Sequence, residues 1–242
     1  MKKISEVLNR QEFYPGFVGF FTNPFYFGRR ELVRNVKALA PKRTGRVLDV
    51  GCGTKPYSEL FKNISYVGLE LDTPENRRIK NADFFYNGKK FPFSDGEFDC
   101  AISNQVLEHV FEPDLFLKEI NRVLKTGGLL LLTVPFMWEE HEEPYDFGRY
   151  SSFGLRAILD RNGFKVIEHK KTLNDFRAVF QMINCHFRKL LRFKNSKIRL
   201  ISHMIVFGAL NALGSVLAFV LPKNNAFYID NVVLAKKKDG QI

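Results

Sequence analysis

The chain has 242 residues, 45% of them apolar and 26% charged, with a net charge of +11. That length supports one compact domain with a full core, and it leaves room for an insertion. The three cysteines, Cys52, Cys100 and Cys185, form no Cys-x-x-Cys pair and are odd in number. This argues against a disulfide framework or a zinc site and points to a reducing cytoplasm, so no metal is expected.

Lys2 and Lys3 are followed by no apolar stretch of signal-peptide length, so secretion is not expected. From Phe13 to Phe27, eight of fifteen residues are aromatic, broken by Pro15, Gly16, Gly19 and Pro24. Such a segment suits a cover packed on a domain better than a solvated tail. A helix is expected from Arg29 to Ala40, ended by Pro41. Short apolar strands then alternate with amphipathic stretches at 46–50, 65–70, 83–86, 98–103 and 128–134, the pattern of a parallel sheet covered by helices. Pro113 opens a helix that Gly127 and Gly128 are expected to end. Ser152 reads as the cap of a helix through Arg161, and Gly163 as a left-handed exit into a strand at 164–169.

Residues 46–53, Arg-Val-Leu-Asp-Val-Gly-Cys-Gly, run a strand into two glycines, which let a ligand approach the main chain. Glu70 ends the next strand, 21 residues after Asp49, the spacing at which a nucleotide-binding fold grips ribose hydroxyls. Together they predict a nucleoside site.

Four segments, in order, carry a family resemblance: Val47-Leu-Asp-Val-Gly-Cys-Gly-Thr54, Tyr66-Val-Gly-Leu-Glu70, Asn87-Gly-Lys-Lys-Phe-Pro-Phe-Ser-Asp-Gly-Glu-Phe-Asp99 and Ser103-Asn-Gln-Val-Leu-Glu-His109. The succession resembles the class I S-adenosylmethionine-dependent methyltransferases over residues 44–170 plus 227–235. The resemblance implies an α/β, Rossmann-like, doubly wound seven-stranded sheet, mostly parallel with an antiparallel last strand, plus a helical insertion before that strand. It divides the chain into an aromatic N-terminal cover and helix at 1–41, a methyltransferase domain at 42–171 plus 227–238, and an insertion at 172–226. It also implies S-adenosylmethionine as cofactor, held by Asp49, Gly51, Cys52, Gly53, Glu70, Leu71, Asn87, Gly88, Asn104 and Gln105. Asp49 would hold the turn or receive the ammonium through water. Asn87 stands where many relatives carry an aspartate, and its amide oxygen can still accept from an adenine amino group. Lys55 replaces the third glycine common in the first motif.

Past the fifth strand, residues 135–150 concentrate one His, four Glu, one Asp, one Arg and the only Trp. A loop so placed would form the acceptor wall. His141 is the candidate general base, since an imidazole of ordinary pKa about 6.5 takes a proton at neutral pH. Asp146 would orient it, and His109 is a rival base. Trp138, Glu142, Arg149 and Tyr150 are candidate acceptor contacts. A structural alternative stands beside these roles: His141 and Glu142 capping the next helix, Arg149 pairing with an acid.

Between Arg188 and Arg199 lie six positive charges, and Leu200 to Leu221 then runs 22 residues without a charge. The run is long enough to cross a bilayer. Spanning conflicts with topology, because the strand expected at 227–235 must return to the same sheet. His203, Gly208, Asn211, Gly214 and Ser215 form a small, polar stripe suited to packing on protein. The expectation is a helical hairpin, 173–193 against 198–221, resting on an anionic membrane surface at the inner face; a soluble cap or dimer interface is the alternative. The acidic His-Glu-x-Pro loop with C-terminal helices resembles methyltransferases of bacterial surface-polysaccharide pathways, implying O-methylation of a glycan or lipid-linked acceptor. RNA methylation and a non-catalytic, cofactor-binding scaffold are the alternatives. Nucleic acid is not the expected partner, because no RNA-binding module accompanies the basic helix.

Overall fold

The computed structural model describes residues 10–40, 45–61 and 64–239. Lys2, Lys3 and Pro41 lie outside the described residues. The chain divides into two compact units. One comprises the segment up to Asn35, residues 137–139 and 171–230, and the other 36–136, 140–170 and the chain from Asn231 on. The aromatic N-terminal segment and the basic insertion, read from the sequence as separate pieces, thus fall in one unit.

The sheet is seven-stranded: β1 (Arg46–Val50), β2 (Ser65–Leu71), β3 (Phe84–Tyr86), β4 (Phe98–Asn104), β5 (Leu124–Pro135), β6 (Phe164–Lys171) and β7 (Asp230–Lys237), in the order β3-β2-β1-β4-β5-β7-β6. β1 pairs in parallel with both β2 and β4, and β7 enters antiparallel. Leu48, Val50, Leu69, Leu130 and Leu132 are buried in its core, as strands covered on both faces require. The order reverses at β1, where the chain goes to β2 on one side and β4 lies on the other. Open parallel sheets bind ligands at that point, outside the carboxyl ends of the strands.

The helix opened by Pro113, α4 (Pro113–Val123), follows α1 (Phe17–Thr22), α2 (Tyr26–Leu39) and α3 (Pro74–Ile79). It ends earlier than the glycine pair suggests. Leu124 is already extended, and Phe98 pairs with Leu124 while Cys100 pairs with Leu129. Residues 125–128 bulge out of β5, and Gly127, at φ +73°, serves the bulge and not a helix end. α5 (Ser152–Arg161) is capped by Ser151, one residue before the expected cap: its hydroxyl accepts from Gly154 N at 3.2 Å. Gly163 is left-handed, at φ +79°.

In the other unit, α6 (Arg177–Leu190) packs on α7 (Ser196–Val220), whose first turn is capped by the Asn195 side chain. Asn211 of α7 is fully buried; its amide donates to Phe20 O at 2.7 Å and its oxygen accepts from Asn184 at 2.9 Å. A Cβ on Gly208 would meet Phe21 at 2.7 Å, and one on Gly214 would meet Phe180 at 2.9 Å. The small stripe is therefore the seam on which α1 and α6 close. Gln181 secures the N-terminal segment, accepting from Gly28 N at 3.0 Å and donating to Pro24 O at 2.9 Å.

Candidate active site

Asp49, Glu70 and Asn104 lie at the carboxyl ends of β1, β2 and β4, because parallel pairing in register carries all three strands to one sheet edge. The turn after β1 places Gly51 at φ +74° and Gly53 at φ +54°. A side chain at Gly51 would drive into Val106 at 2.4 Å, so that glycine is needed for close packing. At Gly53 an added Cβ would meet no heavy atom within 4 Å: its open side is an approach to bare backbone.

Glu70 reaches back to this turn, accepting from Gly53 N at 3.0 Å and from Leu71 N at 3.1 Å. Asp49 is buried and accepts a hydrogen bond from the Tyr66 hydroxyl of the neighbouring strand. Burial pushes the Asp49 carboxyl up to about 7, opposed by the Tyr66 bond and aided by the nearby Glu70 charge. The Cys52 thiol, also buried, rises to about 12 and is inert as a nucleophile.

Lys55, at φ +56°, crosses over Gly68 and pairs with Asp83 at 2.6 Å, and Asp83 also accepts from Gly68 N at 2.7 Å. This clamp on the turn had no signal in the spacing. Gly88, at φ +82°, shapes the turn after β3. The Asn87 oxygen accepts from Lys89 N at 3.1 Å and Lys90 N at 3.3 Å, so the turn's own backbone uses the oxygen assigned to the adenine. Asn104 accepts from the Thr133 hydroxyl at 2.6 Å, and Gln105, at φ +55°, donates from its backbone to Thr133 O at 3.0 Å.

Beyond β4, a short turn at Leu107–His109 meets the loop at 140–150. Glu108 O accepts from Phe147 N at 2.8 Å and Gly148 N at 3.1 Å, which moors the loop. Asp146 accepts from His141 N at 3.0 Å and stands 3.3 Å from His141 Nδ1. Arg149 clasps Asp146 with two bonds of 2.5 and 2.6 Å, and holds its carboxyl down to about 2. Arg149 is thus bonded to an acid, as the structural alternative has it. His109 Nδ1 is 2.8 Å from Tyr145 O, and the His109 and His141 rings meet edge to face with centroids 4.8 Å apart.

Glu142 is exposed, at φ +53°, in the turn closed by Tyr145 N. Tyr150 packs against the sheet core, and burial raises its phenol pKa. Trp138, expected as an acceptor contact, belongs to the other unit, where its ring packs 5.7 Å from Phe25 beside an aromatic core. Glu108 escaped the sequence reading. Its signal was its place between Leu107 and His109 in a motif segment.

A sheet of this order, with a glycine turn after β1 and an acid closing β2, defines a class I methyltransferase fold. Residues 25–169 match the model of a family described as "Methyltransferase domain", and the chain belongs to that family. A "Probable S-adenosylmethionine-dependent methyltransferase" of Mycolicibacterium smegmatis is 30% identical over 61% of this chain and 62% of its own length. The O-methyltransferase rstn1 of Aspergillus nomiae is 28% identical over 62% of this chain and 80% of its own. Among solved structures, Haemonchus contortus phosphoethanolamine N-methyltransferase 2, in complex with S-adenosyl-L-methionine, superposes with a TM-score of 0.55 at 17% identity, covering 92% of this chain and 56% of that one. The chain is an S-adenosylmethionine-dependent methyltransferase. The open backbone at Gly53 beside the Glu70 carboxylate fits that cofactor.

Proposed function

We propose that this methyltransferase modifies a hydroxyl oxygen of a glycan or lipid-linked saccharide presented at an anionic membrane surface. When bound, S-adenosylmethionine supplies an electrophilic methyl group on a sulfonium. Glu70 would accept from the ribose hydroxyls, and the Gly51–Gly53 backbone would receive the amino-acid end. Positioning alone can contribute about 7–11 kcal/mol to such a transfer. A hydroxyl acceptor must also lose its proton, and the group that supports this reading is the His109–His141 pair, oriented by Tyr145 O and Asp146.

The observation that carries the choice of acceptor is the surface of α7. Ile198, Ile201, Ile205, Val216 and Phe219 fall within about 60° on a helical wheel. All five are exposed, Phe219 by 90% and Ile205 by 65%. By length and composition this helix could cross a membrane. Its buried seam of Phe207, Gly208, Asn211 and Gly214 instead favours a helix lying on the surface, apolar side outward. The cationic rim differs from the expectation that included Arg188 and Lys189. Glu139 takes both, at 2.8 and 3.0 Å, so the rim falls to the exposed Arg192, Lys194, Lys197 and Arg199.

Incubating the protein and cofactor labelled in its methyl group with membrane and soluble extracts tests this reading. Label extracted with lipid and released as a methylated sugar is the expected result. Label that follows RNA and disappears with ribonuclease would replace it with nucleic-acid methylation.

A further inference from the structure

We propose that Glu108, His109 and His141 form a site for one divalent first-row transition ion of the zinc class. Among the described residues, ligand-capable atoms of these three side chains lie within 4.8 Å of one another. Zinc bonds of about 2.0–2.2 Å would bring them to roughly 3.4 Å apart, a closure that side-chain rotation supplies. Both imidazoles are held by one ring nitrogen. His109 Nδ1 faces Tyr145 O at 2.8 Å, and a carbonyl can only accept, so Nδ1 carries a proton and, in the neutral ring, Nε2 the lone pair. His141 Nδ1 faces Asp146 Oδ2 at 3.3 Å, and Asp146 is bound to Arg149, so the same tautomer follows. Metal-binding histidines are set in this way: one ring nitrogen tied to a carbonyl or carboxylate, the other left to the ion.

The third ligand fits as well. The Glu108 side chain is fully buried, with Oε1 4.0 Å from His109 Nε2. Two imidazoles with one carboxylate select zinc, iron, cobalt, nickel or manganese over magnesium or calcium, and three protein ligands leave a position open. The cysteine count, which argued against a zinc site, is blind to a site without thiolates.

Binding of the ion stands on this geometry alone; its part in catalysis rests on the function proposed above. There the ion would take the place of the imidazole pair in activating the acceptor: the hydroxyl would take the open position and release its proton to water. An oxygen lone pair would form the bond to the methyl carbon, and the carbon–sulfur bonding pair would return to sulfur. The ion keeps its oxidation state, and each turnover releases one proton.

The test is a titration of chelator-stripped full-length protein with Zn2+, and separately with Co2+ followed by visible absorption. One equivalent should bind, with cobalt bands of low-symmetry coordination. His109→Ala, His141→Gln and Glu108→Gln should each weaken binding at least 100-fold, and Asp146→Asn by about 10–100-fold as an orienting partner. Retained cofactor affinity shows that each variant is folded. Because Glu108 is buried, the partly exposed His141 is the deciding position. Wild-type protein that takes up no ion, or a His141→Gln variant that binds as tightly, would overturn the site. Methyl transfer that continues unchanged under chelator would overturn the ion's role in hydroxyl activation and leave both the methyltransferase reading and ion binding in place.

Discussion

Tyr66 donates its hydroxyl to Asp49 across the β1–β2 pair, on the sheet edge where the glycine turn begins. The bond opposes a burial that pushes the Asp49 carboxyl up to about 7. An acid of raised pKa keeps its proton in the folded chain over a range where the unfolded chain, titrating near about 3.9, has lost it. The folded state then binds more protons, so this contribution to stability is complete below about pH 4 and lost as pH rises through about 7. Asp49→Asn should remove that slope. Its melting temperature should gain several degrees on wild type between about pH 5 and pH 8. Tyr66→Phe should carry the decline to higher pH, and melting curves that keep a constant offset across the range would remove Asp49 as its source.

Glu70 holds the turn through Gly53 N, and its carboxylate faces the open backbone there. Glu70→Ala should weaken S-adenosylmethionine binding tenfold or more, or about 1.4 kcal/mol by calorimetry. Glu70→Gln keeps one acceptor oxygen and should lose less. A titration unchanged in both variants would take Glu70 out of the site.

The two glycines of the turn should fail differently. Gly51→Ala combines a left-handed backbone, costing about 1–2 kcal/mol, with a contact of 2.4 Å on Val106, so the fold should suffer first. Gly53→Ala meets no atom but carries the same left-handed backbone cost, at φ +54°, so it should lose only about 1–2 kcal/mol of stability while losing cofactor affinity, because its methyl fills the ligand's approach. Equal losses of stability in the two variants would contradict this division.

What could be read before folding was whatever depends on neighbours along the chain. Arg46–Val50 and Ser65–Leu71 are apolar runs ending in a glycine turn and an acid, and the sheet carries both to the same edge. What escaped depends on neighbours in space. Lys55 finds Asp83 28 residues away, Arg188 finds Glu139 49 residues away, and Trp138 finds Phe25. Arg149 looked like an acceptor contact because its bond to Asp146 is a rotamer choice, invisible in a string of letters. The glycine pair at 127–128 misled for a related reason: a left-handed residue ends a helix or opens a bulge, and only the register of β4 against β5 decides.

The surface of α7 gives the last prediction. Exposed cations near an anionic bilayer contribute about 1 kcal/mol each, so Arg192, Lys194, Lys197 and Arg199 together could hold the protein at such a surface. Reversing Lys194, Lys197 and Arg199 to Glu should abolish co-sedimentation with vesicles containing phosphatidylserine and leave cofactor affinity intact. Phe219→Asp should weaken the same binding without touching its salt dependence, because it removes apolar insertion and no positive charge. Arg188→Glu is the discriminating control. Its guanidinium is committed to Glu139 and lies over the Phe25 ring, so this change should lower the melting temperature more than it lowers vesicle binding. If the triple reversal sediments with vesicles as wild type does, the electrostatic contact is wrong, and the apolar stripe would instead have to be buried against a second copy of the chain, visible as a dimer by light scattering.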